Sequence, residues 1–266
     1  MRTAIGNFGI SVITASALFF FRYFEYLSMK INLKKIIAII PARAGSKRIP
    51  GKNIKEFAGK PIIGWTIEML KKSQYFKDII VTTDSEEIKK VSEKFGADVP
   101  FIRPKHLSDD YTNTHDVIKH ALNWYIENRG TPSLVLTVYP TAVLVTPEKI
   151  TKAIEILNSS ESNNLITAFK YNYPIERALL QNINNESEML FKEHADTRMQ
   201  DCKSAYYDAG QFYLFEPKKI LSDEPFLNNA SMMILSQNDG VDIDTEEDFI
   251  KANKIFNSTK DVNLKL

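Results

Sequence analysis

The chain of 266 residues has a single cysteine, Cys202, so no internal disulfide framework can staple it and a cysteine-based zinc site is excluded. That usage fits a reducing compartment, and cytoplasmic localisation is expected. Net charge is nearly absent as well, with 34 Lys and Arg against 33 Asp and Glu, which argues against a long nucleic-acid footprint. The four histidines show no metal-ligand spacing: His106, His115 and His194 stand apart, and His120 flanks an apolar helical stripe. No G-x-S-x-G elbow, internal repeat, low-complexity tract or linker occurs, so one α/β domain is the economical count.

Long apolar runs are scarce too. Thr3 to Phe21 carries no charge and resembles a signal-peptide core or an anchor, but Gly6, Asn7 and Gly9 interrupt it and Arg22 and Glu25 close it. Met29 immediately precedes the globular pattern. Residues 1–28 therefore read as an extension, with a start placed too early or a dispensable segment fitting better than an anchor, and residues 29–266 as a domain with no membrane association.

What is present is alternation. Ile36–Ile40 is a β-branched apolar run suited to a strand buried on both faces. Pro61 opens a helix with Ile63, Ile67 and Leu70 inward, "DIIVTT" is the next strand, and Asp84 with Glu87 is expected to cap a helix that ends at Gly96. A helix over about 114–128, the strand "SLVLTV", a helix from Thr146 and Pro147, and the strand "NLITAFK" follow. From Tyr171 to Lys203 periodicity fades, as in a lid or subunit contact. "AYYDAGQFYLF" restores strand character. "VDIDTEEDFIKANKIF" then reads as a strand edge, Thr245 as N-cap, and a helix burying Phe249, Ala252 and Phe256. The pattern predicts a three-layer αβα fold around a mostly parallel, Rossmann-like sheet.

Ligands of such sheets lie beyond the carboxyl ends of the strands. There the sequence places Arg43 and Ser46, Thr83 and Asp84, and Tyr139 and Thr141. The segment between Arg43 and Lys60 holds six cations (Arg43, Lys47, Arg48, Lys52, Lys55, Lys60) and one acid, Glu56. A glycine-containing basic turn after a strand offers N–H groups and charge to a compact polyanion, although a charge run can also be a solvated surface loop. It is not a P-loop: five residues separate Gly45 and Gly51, and Asn53 follows Lys52 where a hydroxyl is required. Asp242 and Asp244, two apart, would share a strand face and could address one hard cation; the plainer reading makes Asp244 a helix cap and Asp242 a surface residue. Tyr206, Asp208 and Gln211 could present polar tips to a substrate.

Taken in order, "IIPARAGSKRIPGKN", "FAGKPIIGWTI", "VTTDSEEI", "FIRPKHLSDDYTNT", "YPTA" and "VDIDTEEDF" resemble the cytidylyltransferases that make CMP-activated nonulosonic acids. "NYPIERAL" and "TRMQDCKSAYYDAGQFY" bring the chain closer to the pseudaminic acid branch than to CMP-N-acetylneuraminate synthetases. The resemblance covers nearly all of Lys35 to Phe256 and implies transfer of CMP from CTP to the anomeric hydroxyl of a nine-carbon α-keto acid sugar, with CMP-legionaminate or CMP-N-acetylneuraminate synthesis as alternatives. A non-catalytic nucleotide-sugar binding protein is the alternative of another class.

The resemblance further implies that Arg43, Ala44, Ser46, Lys47, Lys52 and Asn53 bind the CTP triphosphate, with Arg43 and Lys52 also catalytic. It implies that Arg103 and Thr114 face the cytosine and ribose, and that Asp242 and Asp244 are catalytic ligands of Mg²⁺. Arg198 would meet the sugar carboxylate, and Tyr139, Thr141, Gln200, Asp208 and Gln211 would line the sugar pocket. A homodimer is implied, with the excursion at about 171–203 reaching the neighbour's pocket. Val143 and Tyr207 depart from the usual pseudaminic pattern, where proline and histidine stand, and both bear on sugar specificity.

Overall fold

Apolar β-branched residues in unbroken runs drive the centre of the fold. In the computed structural model, which describes residues 33–263 apart from residue 223, strand β1 (Ile36–Pro41) has all five of its leading residues fully buried. The extension 1–28 lies outside the described residues. Strands β4 (Phe76–Thr82), β5 (Leu134–Val138), β6 (Asn164–Lys170), β9 (Tyr206–Phe215) and β10 (Ser231–Leu235) complete a six-stranded sheet in the order β10-β6-β9-β5-β1-β4. Two small hairpins lie outside it: β2 (Glu56–Phe57) with β3 (Lys60–Pro61), and β7 (Leu179–Gln181) with β8 (Ser187–Met189).

Five of the six strands run the same way, and β9 runs against both neighbours, β5 and β6. The mostly parallel sheet expected from the alternation is therefore present, and the reversed strand has a consequence for function. The start of β9, not its end, lies at the edge where the parallel strands terminate. Val138 pairs with Phe212, and the Tyr139 N–H donates to the Gln211 carbonyl at 3.1 Å.

Helices cover both faces. Helix α1 (Ile62–Lys72), α2 (Glu86–Phe95) and α4 (Pro147–Asn158) pack on one side, α3 (Thr114–Arg129) and α5 (Pro217–Leu221) on the other. On the α3 side, Ile37, Ile39, Val135, Tyr213 and Phe215 from the sheet meet Ile118, Ala121, Leu122 and Tyr125. The last helix, α6 (Glu246–Asn263), sends Phe249 and Ala252 into a second cluster with Ile49, Phe57 and Ile243, so the basic loop and the carboxy-terminal segment share one core. Burial of about 2 kcal/mol per large apolar side chain fixes both segments against each other.

Three local readings need correction. Asp84 does not cap α2: Ser85 does, its hydroxyl accepting from Ile88 N–H at 3.3 Å, because the chain turns one residue later than the Asp84/Glu87 spacing implied. The 241–244 segment is extended chain without ladder partners rather than a strand, although Val241 and Ile243 point inward and Asp242 and Asp244 outward as on one. Elements α5 and β10 carry no signal that the alternation revealed. Thr245 does cap α6, exchanging hydrogen bonds with Asp248 at 2.9 and 3.2 Å.

Candidate active site

The loop after β1 is positioned from below by Asn53. This 8% exposed side chain donates from Nδ2 to the Arg43 carbonyl at 2.8 Å, across a turn at Gly51 in the left-handed conformation (φ 64°) that suits glycine. From the same turn Lys52 reaches across to the far end of the chain. Its Nζ donates to the Ile243 carbonyl at 2.6 Å and lies 3.4 Å from Asp244 Oδ1, and Arg48 Nη2 pairs with that oxygen at 2.8 Å. The basic turn and the aspartates thus adjoin, although 191 residues separate Lys52 from Ile243.

The six cations divide by role. Arg43, Lys47, Arg48 and Lys52 face this crevice, whereas Lys55 pairs with Glu246 and lies over the Phe249 ring, and Lys60 pairs with Glu68 and stacks on Trp65. Arg43 donates from Nη1 to the Asp109 carbonyl and to Asp110 Oδ1, each at 2.9 Å, and Lys47 meets Asp110 Oδ2 at 2.5 Å. Lys47, and to a lesser degree Arg43, hold the Asp110 carboxyl below its ordinary range. The Ala44 N–H donates to Asp84 Oδ1 at 2.8 Å. Ser46 is half-buried within the same loop.

Arg103 is held at the end of β4 by its own N–H, which donates to the Thr83 carbonyl at 2.7 Å. It is 4% exposed. Nε donates to Ser108, Nη2 has no hydrogen-bond partner among the described residues, and the nearest Asp84 oxygen is 3.8 Å away. Burial pulls the guanidinium below its ordinary pKa, opposed by Asp84. A buried guanidinium nitrogen with an ionic neighbour but no hydrogen-bond acceptor is costly unless an acceptor completes it. Arg43, Lys52, Asn53, Arg103, Thr114 and Tyr139 line a cavity of about 250 Å³.

A second cavity of about 300 Å³ shares Lys52, Tyr139 and Thr141 with the first and adds Asp208, Gly210, Tyr213, Asp242 and Asp244. Here β9 departs from regular pairing: Tyr213 faces Ile166 but Asp208 faces Ala168, leaving extra residues bulged opposite Thr167. The bulge contains Gly210 (φ 59°), where a Cβ would come within 2.9 Å of the Asp242 carboxyl carbon. Glycine is required there by both conformation and space. Asp242 has part of its side chain open to solvent, yet the surrounding protein desolvates its carboxyl. With the charges of Asp244 and Asp208 adding to this and Lys52 opposing, its pKa is pushed up to about 6.

The sequence-expected residues do not all converge. Arg198 and Gln200 stand in the excursion, flanking or within a short turn (Met199–Asp201), and line neither cavity. Gln211 is 1% exposed and its Nε2 donates to the carbonyls of Ala209 and Gly210, bracing the bulge. Conversely, Asp110, Gly210 and Tyr213 stand at the site without having been singled out, and Arg48, counted among the six cations, had been given no role there. Arg48 and Asp110 lie inside quoted motifs, while Gly210 and Tyr213 matter only because of the bulge and the reversed direction of β9.

A nucleotidyltransferase sheet with a phosphate-sized cationic crevice beside paired carboxylates is what these features define. The chain belongs to the cytidylyltransferase family, whose model matches residues 37–265. It is 39% identical over 223 residues to the pseudaminic acid cytidylyltransferase of Campylobacter jejuni subsp. jejuni serotype O:2, covering 84% of this chain and 96% of that one. It is 30% identical over 229 residues to the CMP-N,N'-diacetyllegionaminic acid synthase of Legionella pneumophila, covering 84% and 96%. Among solved structures, CMP:2-keto-3-deoxy-manno-octonic acid synthetase complexed with CTP aligns with a TM-score of 0.63 at 14% identity, over 85% of this chain and 99% of that one. That last likeness speaks to the fold alone. No helix among the described residues is long and apolar enough to cross a membrane.

Proposed function

We propose that the chain transfers CMP from CTP to the anomeric hydroxyl of pseudaminic acid, releasing pyrophosphate. The observation that carries this reading is the junction at Lys52, where an ammonium from the basic turn reaches the segment bearing the aspartates. A triphosphate laid across that junction meets Arg43, Lys47 and the loop amides on one side and the acids on the other. The base extends toward Arg103, whose free Nη2 asks for an acceptor, and the ribose toward Thr114. The acceptor sugar takes the second cavity, beside Tyr139, Thr141 and Asp208.

The sugar hydroxyl attacks the α-phosphorus in line, a new P–O bond forms as the hydroxyl proton is released to solvent, and the bond from the α-phosphorus to the bridging oxygen breaks, that oxygen leaving with the pyrophosphate. Arg43 and Lys52 stabilise the charge gathering on the departing pyrophosphate. Rate enhancement comes from positioning and charge neutralisation, with no covalent intermediate on a side chain.

Asp242 and Asp244 suit a hard divalent cation. Their donor atoms are all oxygen, and the desolvation of Asp242, with the repulsion from Asp244 added to it, is a penalty such a cation relieves. Two carboxylates suffice for Mg²⁺, a cation that completes its shell with substrate phosphates and water. Mg²⁺ held by Asp242 and Asp244 would supply charge neutralisation at the phosphates.

Absent from their own pocket, Arg198 serves the sugar carboxylate and Gln200 lines the sugar pocket in a second copy of the chain. The excursion supports this with Leu179, Leu180, Ile183 and Leu190 all exposed, the composition of a surface awaiting a partner. A cytoplasmic setting suits the reaction, and a chain with one cysteine and no disulfide supports that reading. Incubation with CTP, Mg²⁺ and a panel of pseudaminic, legionaminic and N-acetylneuraminic acids tests the reading: pyrophosphate release should be fastest with pseudaminic acid. Equal or faster release with another sugar would reassign the acceptor, and none with any sugar would refute the activity.

A further inference from the structure

Of the residues in the acceptor cavity, Gly210 and Tyr213 were given no role by the sequence, and of the two only Tyr213 has a side chain that can act. It is 1% exposed, and its ring is wedged between Phe215 and Phe226 at centroid distances of 6.1 and 5.3 Å. Its position in β9, on the far side of the bulge, points the hydroxyl at the strand's own beginning, where it donates to Asp208 Oδ2 at 2.7 Å. The other carboxylate oxygen, Oδ1, accepts from the Gly210 N–H at 3.0 Å. Asp208 is exposed near the start of the strand, yet both of its oxygens are fixed, one by the bulge's Gly210 N–H and the other by Tyr213 beyond the bulge. The Tyr139 ring meets Tyr213 edge to face (6.0 Å, 82°), and its hydroxyl lies 3.1 Å from Thr114 Oγ1.

We propose that Tyr213 is a positioning residue for the acceptor sugar: its buried hydroxyl locks the Asp208 carboxylate toward the cavity, with Tyr139 and Thr114 continuing the hydroxyl row to the nucleotide side. The reason is chemical. A carboxylate that must read the hydroxyl or amide groups of a polar sugar loses affinity if it rotates freely, since each rotamer frozen on binding costs free energy. A donor held immobile in the core removes that freedom before the sugar arrives. Burial, together with the neighbouring Tyr139 and Asp208, raises the Tyr213 phenol well above its ordinary pKa, so it remains a donor throughout the working range. Asp208 keeps unused lone pairs on both oxygens for the ligand.

The inference rests on the acceptor reading given above, and the test separates the two. Tyr213→Phe keeps the ring and its packing. In an enzyme that turns over a nonulosonic acid, this variant should raise the acceptor KM about tenfold or more, as expected for a lost hydrogen bond to a charged group. The CTP Kd, measured by titration calorimetry without sugar, should stay within about twofold. Asp208→Asn should show the same split, and adding Tyr213→Phe to Asp208→Asn should worsen the acceptor KM by less than about twofold, because the hydroxyl acts through that carboxylate. An unchanged acceptor KM in Tyr213→Phe, a parallel loss of CTP affinity, or full additivity in the double variant would overturn the assignment. Should Tyr213→Phe not fold, the Asp208→Asn split decides: a loss shared equally by CTP and sugar overturns it. If the unmodified protein uses no sugar of the panel, the proposed activity fails first and this inference falls with it.

Discussion

The two halves of the crevice are built in opposite ways. The nucleotide half comes from one short string, Arg43 to Asn53, set at the end of a strand buried on both faces, with Arg103 and Thr114 added from the ends of neighbouring elements. The acceptor half is assembled from β9, which runs against the sheet, and from an extended segment some thirty residues later that carries Asp242 and Asp244. A polyanion can be gripped by a contiguous loop because backbone amides and flexible cations suffice. A specific sugar needs carboxylates and hydroxyls at fixed angles, which only distant segments braced by a core can supply.

The largest effect expected from breaking this pairing is at Asp244, which touches both halves through Arg48 and Lys52. Asp244→Asn should lower CMP-sugar formation at saturating CTP by at least about 1,000-fold, consistent with loss of metal-assisted charge stabilisation. Near-normal turnover would remove the metal assignment. Next comes Arg43→Ala, which acts on the nucleotide half alone. The CTP KM should rise roughly 10- to 100-fold, as for loss of a charge-assisted contact, with the acceptor KM unchanged, and an unaltered CTP requirement would refute the clamp.

Asp242 gives a pH-dependent effect. Below about pH 6 its carboxyl is protonated and loses its affinity for a cation, so at limiting Mg²⁺ activity should fall as pH drops through about 6. Excess Mg²⁺ should move that midpoint to lower pH, and a pH profile insensitive to Mg²⁺ would contradict the coupling. The smallest effect is on stability. Because the folded-state pKa of Asp242 is raised from 3.8 to about 6, its ionisation costs stability, and the cost accrues as pH rises through that window and is complete above it. Discounted for solvent screening to under about 1 kcal/mol, this means that metal-free Asp242→Asn should melt about 2 °C higher at pH 7. At pH 4 it should melt no higher, and a lower melting temperature at pH 7 would mean that the charge is already compensated.

The same contrast explains what was legible in the sequence. Strand β1 is a continuous apolar run, β5 and β6 are mostly apolar, and α2 and α4 carry stop or start residues at Gly96 and Pro147, so their boundaries follow from local chemistry. The basic loop was legible because its charge imbalance is concentrated in a few residues. In the acceptor half, Tyr139, Thr141, Asp208 and the Asp242/Asp244 pair were legible as single candidates, and only the resemblance joined them around a sugar. Nothing in "AYYDAGQFYLF" states that the strand runs backward, that Gly210 makes room for Asp242, or that Gln211 turns inward to brace the bulge. Strand β10, edge-placed with Met232 and Ile234 exposed, lacks both the alternation of a half-buried strand with polar outward residues and the length of a helix. Asp84 shows how one residue off at a helix start changes meaning: it is released from capping and takes the Ala44 amide instead.

The most direct measurement is the structure of the protein with CTP and Mg²⁺ bound. The phosphates should lie between Arg43 and Lys52 on one side and a cation on Asp242 and Asp244 on the other, with cytosine against Arg103. A nucleotide seated away from the basic turn, or one whose phosphates are remote from the two aspartates, would contradict a single crevice that joins the two halves.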